Sequence, residues 1–471
     1  MNKVRALALD FGASGGRAIV GEFDGERVEL KEVHRFPNEP VEVNGTLYWD
    51  VLRLFHELKR GIRAAEESGG ADSVGVDTWG VDFGLLDRDG KLLSSPLHYR
   101  DPITAHAREE MEKTMPLAEL YRETGIAFQP YNTVCQLAML KKNGSVALEH
   151  AACALFMPDL FTYFLTGSKL CEHSIAGTSG LLKAGKPAFS EKIFGAYGLK
   201  KLFPQVSGSG TVAGMLRDEI VKELGLKKNM PVIATLGHDT ASAFFAAAPE
   251  RDEAVLSSGT WSLLGAVTDR PNASAEAAEE GYTNEIGFGG KVRFLRNIVG
   301  LWIIQECKRS WEKDGITLSF SEIAAGAERE EEGRCFIDPD AEEFYFPHGM
   351  PQKVSEYCRR TGQYVPETPF EIARCVYDSL AMSYQKHLKT LERLTGNTYT
   401  TLRVVGGGSN NEALNRATAK ACGVRVTAGP AEGTALGNIL CQLIALGAVR
   451  GEDEARKIVK NSCPLRDFFP A

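Results

Sequence analysis

Thr401-Leu-Arg-Val-Val-Gly-Gly-Gly408 is an apolar, β-branched run that ends abruptly in three glycines. Asn411 to Ala421 behind it has helical patterning, Gly423 stops that helix, and Val424-Arg-Val426 opens another strand. Strand, glycine turn, helix and strand make a βαβ unit, whose strands pair in parallel. The chain is therefore expected to belong to the α/β class. Pro231-Val-Ile-Ala-Thr-Leu236 repeats the pattern upstream, a buried strand running into Gly237-His-Asp-Thr240 and the alanine-rich helix Ala241 to Ala248. Val74-Gly-Val-Asp77 reads as another strand.

Two hairpins punctuated by small residues open the two halves. In the first, Val4 to Asp10 is a strand, Phe11-Gly-Ala-Ser-Gly-Gly-Arg17 turns the chain, and Ala18 to Asp24 returns. The second runs from Glu253 to Val267 and bends at Ser258-Gly-Thr260. Similar hairpins about 250 residues apart predict a duplicated fold, at a period far too long for a solenoid. A length of 471 residues agrees, being too great for one ordinary core and sufficient for two large domains.

Apolar residues make up 43% of the chain and charged residues 25%, so a packed core is expected rather than disorder. The 54 basic and 62 acidic residues leave a net charge of −8, which argues against a broad basic surface for nucleic acid. An anionic ligand then needs local help from backbone amides, glycine turns, isolated arginines or a metal ion. No apolar run approaches the roughly 18–20 residues of a membrane helix, and Met1 to Asp10 lacks the apolar core of a signal peptide. The ten cysteines include no C-x-x-C pair, so buried thiols in a reducing cytoplasm are expected. Cys358 and Cys375 would meet if their segments were adjacent helices.

Gly12-Ala-Ser-Gly-Gly-Arg17 offers several N–H groups, a hydroxyl and a guanidinium, with no bulky side chain to block an anionic oxygen. The same glycines also suit a plain tight hairpin. Neither a G-x-x-x-x-G-K-[ST] loop nor a G-x-G-x-x-G fingerprint occurs. Asp10, at the end of the first strand, suits either a hydrated Mg²⁺ or the capping of turn amides. Ser257-Ser-Gly-Thr-Trp-Ser262 repeats this chemistry, and two such hairpins suggest jaws on one polyphosphate. Gly406-Gly-Gly-Ser-Asn-Asn411 sits at the C-terminal end of a parallel strand, where α/β sheets bind ligands. Three bare residues there would let a flat ring lie against backbone, whereas a loop before a helix needs only one glycine.

Asp239 stands at a strand-to-helix junction, where it serves as an N-cap or as a general base. The roles are compatible, because a helix N-terminus favours the ionised carboxylate that phosphoryl transfer requires of a base. His238 beside it is a donor or acceptor for a polyol, or a packed residue. Asp77-Thr-Trp-Gly-Val-Asp-Phe83 arranges two carboxylates, a hydroxyl and an indole around a glycine, the groups a carbohydrate site uses. A core tryptophan with solvated aspartates reads equally from the same stretch, and paired carboxylates also suit a glycosidase.

Eight short stretches, in order, give the chain a resemblance to the FGGY carbohydrate kinases over almost its full length. They are Leu9 to Arg17, Gly75 to Phe83, Tyr99-Arg-Asp101, Met157-Pro-Asp159 with Leu165-Thr-Gly167, and Gly237 to Ser242. Leu256 to Ser262, Asn297 to Trp302 with Gln305, and Val405 to Asn410 complete the set. The resemblance implies a two-lobed, actin-like fold of duplicated ribonuclease H-like domains, with sugar and ATP in the cleft between the lobes. Residues 1–244 would form the sugar and phosphate side and residues 245–471 the nucleotide side. By the same resemblance, Ala13, Ser14, Gly15, Gly16, Arg17, Thr260, Gln305 and Gly407 would surround ATP. Gly80, His238, Asp239, Thr240 and Asn297 would contact a ketose, Asp239 would accept its proton, and Mg²⁺ would accompany ATP near Asp10. The expected partners are a small-molecule ketose and ATP, with no nucleic acid and no membrane, in a cytoplasmic monomer or small homo-oligomer.

Xylulose and glycerol kinases carry a Lys-Leu-x-Trp element, where this chain has Asn132-Thr-Val-Cys-Gln-Leu137. In this it resembles the branch that converts L-rhamnulose and ATP to L-rhamnulose 1-phosphate and ADP. Gly15 replaces a second serine often found in the phosphate turn, a change that leaves the binding amides in place. Other readings stay open, namely a kinase for another ketose such as L-fuculose, an actin- or chaperone-like ATPase, and a glycosidase that needs no ATP.

Overall fold

The structure is a computed structural model that describes residues 3–470. Strands β1 (Val4–Gly12) and β2 (Gly15–Phe23) form the expected first hairpin, with Asp10 opposite Arg17. They are joined by β3 (Val28–Pro37), β4 (Ser73–Thr78), β5 (Thr211–Met215) and β6 (Pro231–Ala234) in the order β5-β6-β4-β1-β2-β3. Within this sheet β1, β4 and β6 are parallel neighbours. Their C-terminal ends share one edge, so that Asp10 lies opposite Asp77 and Thr78 bridges to His238.

Helix Val51–Glu67 packs on β1, β2 and β3. It turns Leu54, Leu58 and Ile62, spaced at i, i+4 and i+8, into a core shared with Leu7, Leu9, Phe11 and Val74. Each such fully buried side chain contributes about 1.5–3 kcal/mol. That core keeps the strand ends in fixed positions.

The second hairpin is β7 (Glu253–Ser258) with β8 (Trp261–Thr268), and Ser258 faces Ser262 across it. The strands β9 (Val292–Val299), β10 (Thr401–Val405), β11 (Arg425–Ala428) and β12 (Arg466–Phe468) give the order β9-β8-β7-β10-β11-β12, and Tyr282–Ile286 adds a seventh strand beyond β9. Here β7, β10 and β11 are parallel and β12 is an antiparallel edge. From β12 to β8 the pairings repeat those from β5 to β2 in the first sheet, so the expected duplication is present. The βαβ unit is also as expected, with Asn411 capping helix Glu412–Cys422.

Two compact units divide the chain. One comprises Met1–Ala248, Thr268–Phe294 and Thr434–Ser462, and the other Pro249–Val267, Leu295–Gly433 and Cys463–Ala471. The first unit thus includes most of helix Gly433–Ala445, from the far end of the sequence. Gln442 on that helix donates to the Leu7 carbonyl at 2.9 Å and accepts from Ser73 Oγ at 2.7 Å. In the second unit, Cys358 and Cys375 lie on neighbouring helices as free thiols with their sulfurs 3.9 Å apart, and Cys335 joins them. No helix among the described residues is long and apolar enough to cross a membrane.

Candidate active site

The chain leaves β6 at Ala234 and enters helix Asp239–Ala247, and both sides of that junction are pinned. Gly237 N–H donates to Glu172 Oε2 at 3.0 Å, His238 N–H donates to Ser174 Oγ at 3.3 Å, and the Gly237 carbonyl accepts from Thr78 N–H at 2.8 Å. A side chain at Gly237 would lie 3.0 Å from Pro158 and 3.1 Å from Glu172, tighter than ordinary packing. The N-cap position belongs to His238, which makes no side-chain capping bond, and Asp239 is the first helical residue. The cap reading of Asp239 is corrected accordingly. Its carboxylate accepts from its neighbour Thr240, from N–H at 2.5 Å and from Oγ1 at 3.0 Å.

Asp239 keeps 29% of its side-chain surface exposed. Even so, the packing around it pushes its carboxyl above the ordinary carboxylate value, chiefly by burial and then by repulsion from Asp10. His238 and Thr240 pull the other way. A helix start by itself would hold the group down, so burial and the neighbouring acid outweigh it here. A raised value makes the carboxylate a better proton acceptor.

Asp10 accepts from Arg17 Nη2 at 2.7 Å. Asp77, fully buried, accepts on Oδ2 from Asn438 of helix Gly433–Ala445, while its Oδ1 has no hydrogen-bond partner. Burial and then Asp10 drive the Asp77 carboxyl well above its usual value. These hard oxygen donors match the chemistry of Mg²⁺, which keeps several waters and takes one or two carboxylates. They do not make a direct cage, since among the described residues the one close-set trio of ligand atoms is that of Cys335, Cys358 and Cys375.

Gly80 packs beside His238, and a Cβ there would sit 3.4 Å from Nε2 and 3.2 Å from Thr178 Oγ1. Val81 next to it has φ +69°, strained for a β-branched residue. Its N–H donates to Thr178 Oγ1 at 3.1 Å and its carbonyl accepts from Thr133 Oγ1 at 2.6 Å, which holds the strained turn. Asp82 is not solvated, as one reading of the sequence had it. Its carboxylate accepts from Trp49 Nε1 (2.6 Å), Trp79 Nε1 (2.9 Å), Gln136 Nε2 (2.8 Å) and Tyr99 N–H (3.2 Å). Burial pushes it up to about 7 against those four donors. The first unit therefore brings together Asp10, Arg17, Gly80, His238, Asp239 and Thr240.

The second unit carries Thr260, Gln305, Gly407 and Asn297. Thr260 Oγ1 donates to Gln305 Oε1 at 3.1 Å, and Asn297 is half-buried on β9. The three glycines after β10 divide their roles. Gly406 has φ +84° and a Cβ on it would lie 2.9 Å from the Ser258 carbonyl. One on Gly408 would lie 2.0 Å from Ser258 Oγ, whereas Gly407 faces open space. Two of the three are thus required by packing on β7, and one offers the bare surface expected of all three.

Sequence reasoning did not single out Glu172, Glu285, Arg293 or Asn438 as site residues. Asn438 and Gln442 carried a signal, two amides at i, i+4 in an otherwise apolar helix. Glu285 and Arg293 lie on strands, where an isolated charge reads as a solvated face. In the structure both are buried beside His238, with Arg293 Nη2 3.1 Å from His238 Nδ1 and 2.9 Å from Glu285 Oε2.

A duplicated α/β fold with carboxylates gathered at parallel strand ends suits phosphoryl transfer to a small polar acceptor. The chain belongs to the FGGY family of carbohydrate kinases, whose N-terminal domain model matches residues 5–246 and C-terminal domain model residues 254–446. Among its relatives is the rhamnulokinase of Bacteroides thetaiotaomicron, 41% identical over 99% of this chain and 96% of that one. The rhamnulokinase of Enterococcus faecalis is also 41% identical, over 98% of this chain and 93% of its own. The crystal structure of gluconate kinase from Lactobacillus acidophilus superposes with a TM-score of 0.80, covering 100% of this chain and 94% of that one. Its 15% identity speaks for the fold alone.

Proposed function

We propose that this carbohydrate kinase transfers the γ-phosphoryl group of ATP to the 1-hydroxyl of L-rhamnulose, giving L-rhamnulose 1-phosphate and ADP in rhamnose catabolism. The observation that carries the reading is full-length identity of about 40% to relatives named rhamnulokinase. Asp239 is the general base that accepts the proton of the attacking hydroxyl, and its raised proton affinity supports that role. Gly80, His238, Thr240 and Asn297 contact the ketose. Ala13, Ser14, Gly15, Gly16 and Arg17 bind the phosphates through the first hairpin, and Thr260, Gln305 and Gly407 serve the nucleotide. Residues 1–244 form the body of the sugar and phosphate lobe, to which Thr268–Phe294 and Thr434–Ser462 also belong, and the remainder of residues 245–471 forms the nucleotide lobe.

Asp10 would hold a hydrated Mg²⁺, with the unpartnered Oδ1 of Asp77 as a further oxygen. That ion would neutralise charge on the transferring phosphoryl group. Arg17, paired with Asp10 at 2.7 Å, orients the acid. We place the enzyme in the cytoplasm as a monomer or small homo-oligomer. The test is ADP release measured by kcat/KM across a panel of ketoses. L-Rhamnulose should lead, whereas a preference for L-fuculose or ATP hydrolysis without sugar would reject the reading.

A further inference from the structure

We propose that Glu285 and Arg293 are positioning residues for the acceptor side of the reaction. Glu285 fixes Arg293, Arg293 fixes the ring of His238, and His238 presents its other nitrogen to Asp239. This rests on the roles given above to His238 and Asp239.

The Arg293 side chain is 1% exposed and that of Glu285 9%, with Nη2 and Oε2 2.9 Å apart. A charge pair so deeply buried is costly to desolvate and is weak evidence for stability, so its place against a site histidine needs another reason. The two residues are presented by paired strands, Glu285 on Tyr282–Ile286 and Arg293 at the start of β9. The guanidinium also reaches the Ile286 carbonyl at 3.4 Å, and its Cζ lies 5.8 Å from the ring of Phe244, on the helix that begins at Asp239.

A guanidinium only donates. Its Nη2–H, 3.1 Å from His238 Nδ1, makes that nitrogen an acceptor and leaves the imidazole proton on Nε2. Nε2 is 3.4 Å from Asp239 Oδ1 and faces the bare side of Gly80. Glu285 Oε2, 3.3 Å from Nδ1, would favour the opposite tautomer. It makes no well-aligned hydrogen bond and is already the counter-ion of Arg293, so the guanidinium decides the ring state. With Nε2–H fixed, His238 can donate to Asp239 or to an acceptor hydroxyl, and the ring cannot turn away.

The experiment reads the ring directly. Protein labelled with ¹⁵N-histidine gives ring-nitrogen shifts at neutral pH, and the His238 signals are those lost in His238→Gln. The expected wild-type ring has Nδ1 as an acceptor and its proton on Nε2. In Arg293→Met the proton should move to Nδ1, now facing Glu285 alone, and kcat should fall by about tenfold to a hundredfold with ATP affinity within twofold. Glu285→Gln keeps the volume and covers the case in which Arg293→Met does not fold. It should shift the His238 signals and lower kcat at least fivefold. A wild-type ring protonated on Nδ1, or unchanged kcat and unchanged His238 shifts in Glu285→Gln, would overturn the proposal. The ring state needs no turnover. An Nε2–H ring in a protein inactive on L-rhamnulose would therefore refute the substrate and leave the positioning intact, and the reverse pair of results would do the opposite.

Discussion

Gly437 lies within helix Gly433–Ala445, against the helix that begins at Asp239. A Cβ built on it would fall 1.9 Å from the Ser242 carbonyl oxygen and 2.5 Å from the carbonyl carbon. Both are backbone atoms, so no rotamer change relieves the overlap. Restoring an ordinary contact of about 3.4 Å requires the two helices to separate by ~1.5 Å. Overpacking commonly costs 1–3 kcal/mol, and the backbone clash puts Gly437→Ala at about 3 kcal/mol or above. That corresponds to a fall in Tm of roughly 3–5 °C for a unit of this size. Asp239 shares the displaced helix with Ser242, and a shift of about 1 Å at a reacting group costs on the order of a hundredfold in rate. Thermal unfolding followed by circular dichroism, together with kcat from coupled ADP release, checks both numbers. A Gly437→Ala protein with Tm within about 2 °C and kcat within about twofold of wild type, the range of an innocuous surface substitution, would show that close helix contact does not set the position of Asp239.

The glycines after β10 should separate cleanly. Gly408→Ala should lower Tm through its clash with Ser258, while Gly407→Ala should leave Tm unchanged and raise the KM for ATP; equal Tm losses would contradict the assignment. Asp82 titrates near 7 in the folded protein against an ordinary value of 3.8, so its contribution to stability is complete below 3.8 and is lost as pH rises through 7. Over those roughly three units at 1.36 kcal/mol each, Asp82→Asn should remove a pH slope worth up to about 4 kcal/mol in urea unfolding, and an unaltered slope would count against it. The raised affinity of Asp239 for its proton places the acid limb of kcat/KM above the ordinary aspartate value of about 4, with activity lost as pH falls; a limb at or below 4 would argue against Asp239 as the base.

Local pattern carried the hairpins, the βαβ unit and the glycine turns, because each depends on residues close in sequence. Val4 to Asp24 alternates around small residues, and no distant contact is needed to bend it. What the pattern could not carry was anything decided by partners far along the chain. Asn438 reaches Asp77 across 361 positions, and Arg293 reaches His238 across 55. Asp82 is surrounded by Trp49, Tyr99 and Gln136, none of which marks it as buried in the sequence. The glycine triplet failed differently. Its conformational freedom was plain, but Ser258, the neighbour that uses two of the three, lies on another strand. Asp239 was found with the wrong local role, since a junction aspartate and a cap look alike until the dihedral angles assign the cap to His238.

The proposed reaction depends on Asp239 as proton acceptor for a ketose hydroxyl. The most direct test is turnover of Asp239→Asn with L-rhamnulose and ATP, alongside ATP binding by calorimetry and thermal unfolding. The prediction is a fall in kcat of about 10²–10⁴ with ATP affinity and Tm held near wild type. An Asp239→Asn protein that phosphorylates L-rhamnulose within tenfold of the wild-type rate would contradict it.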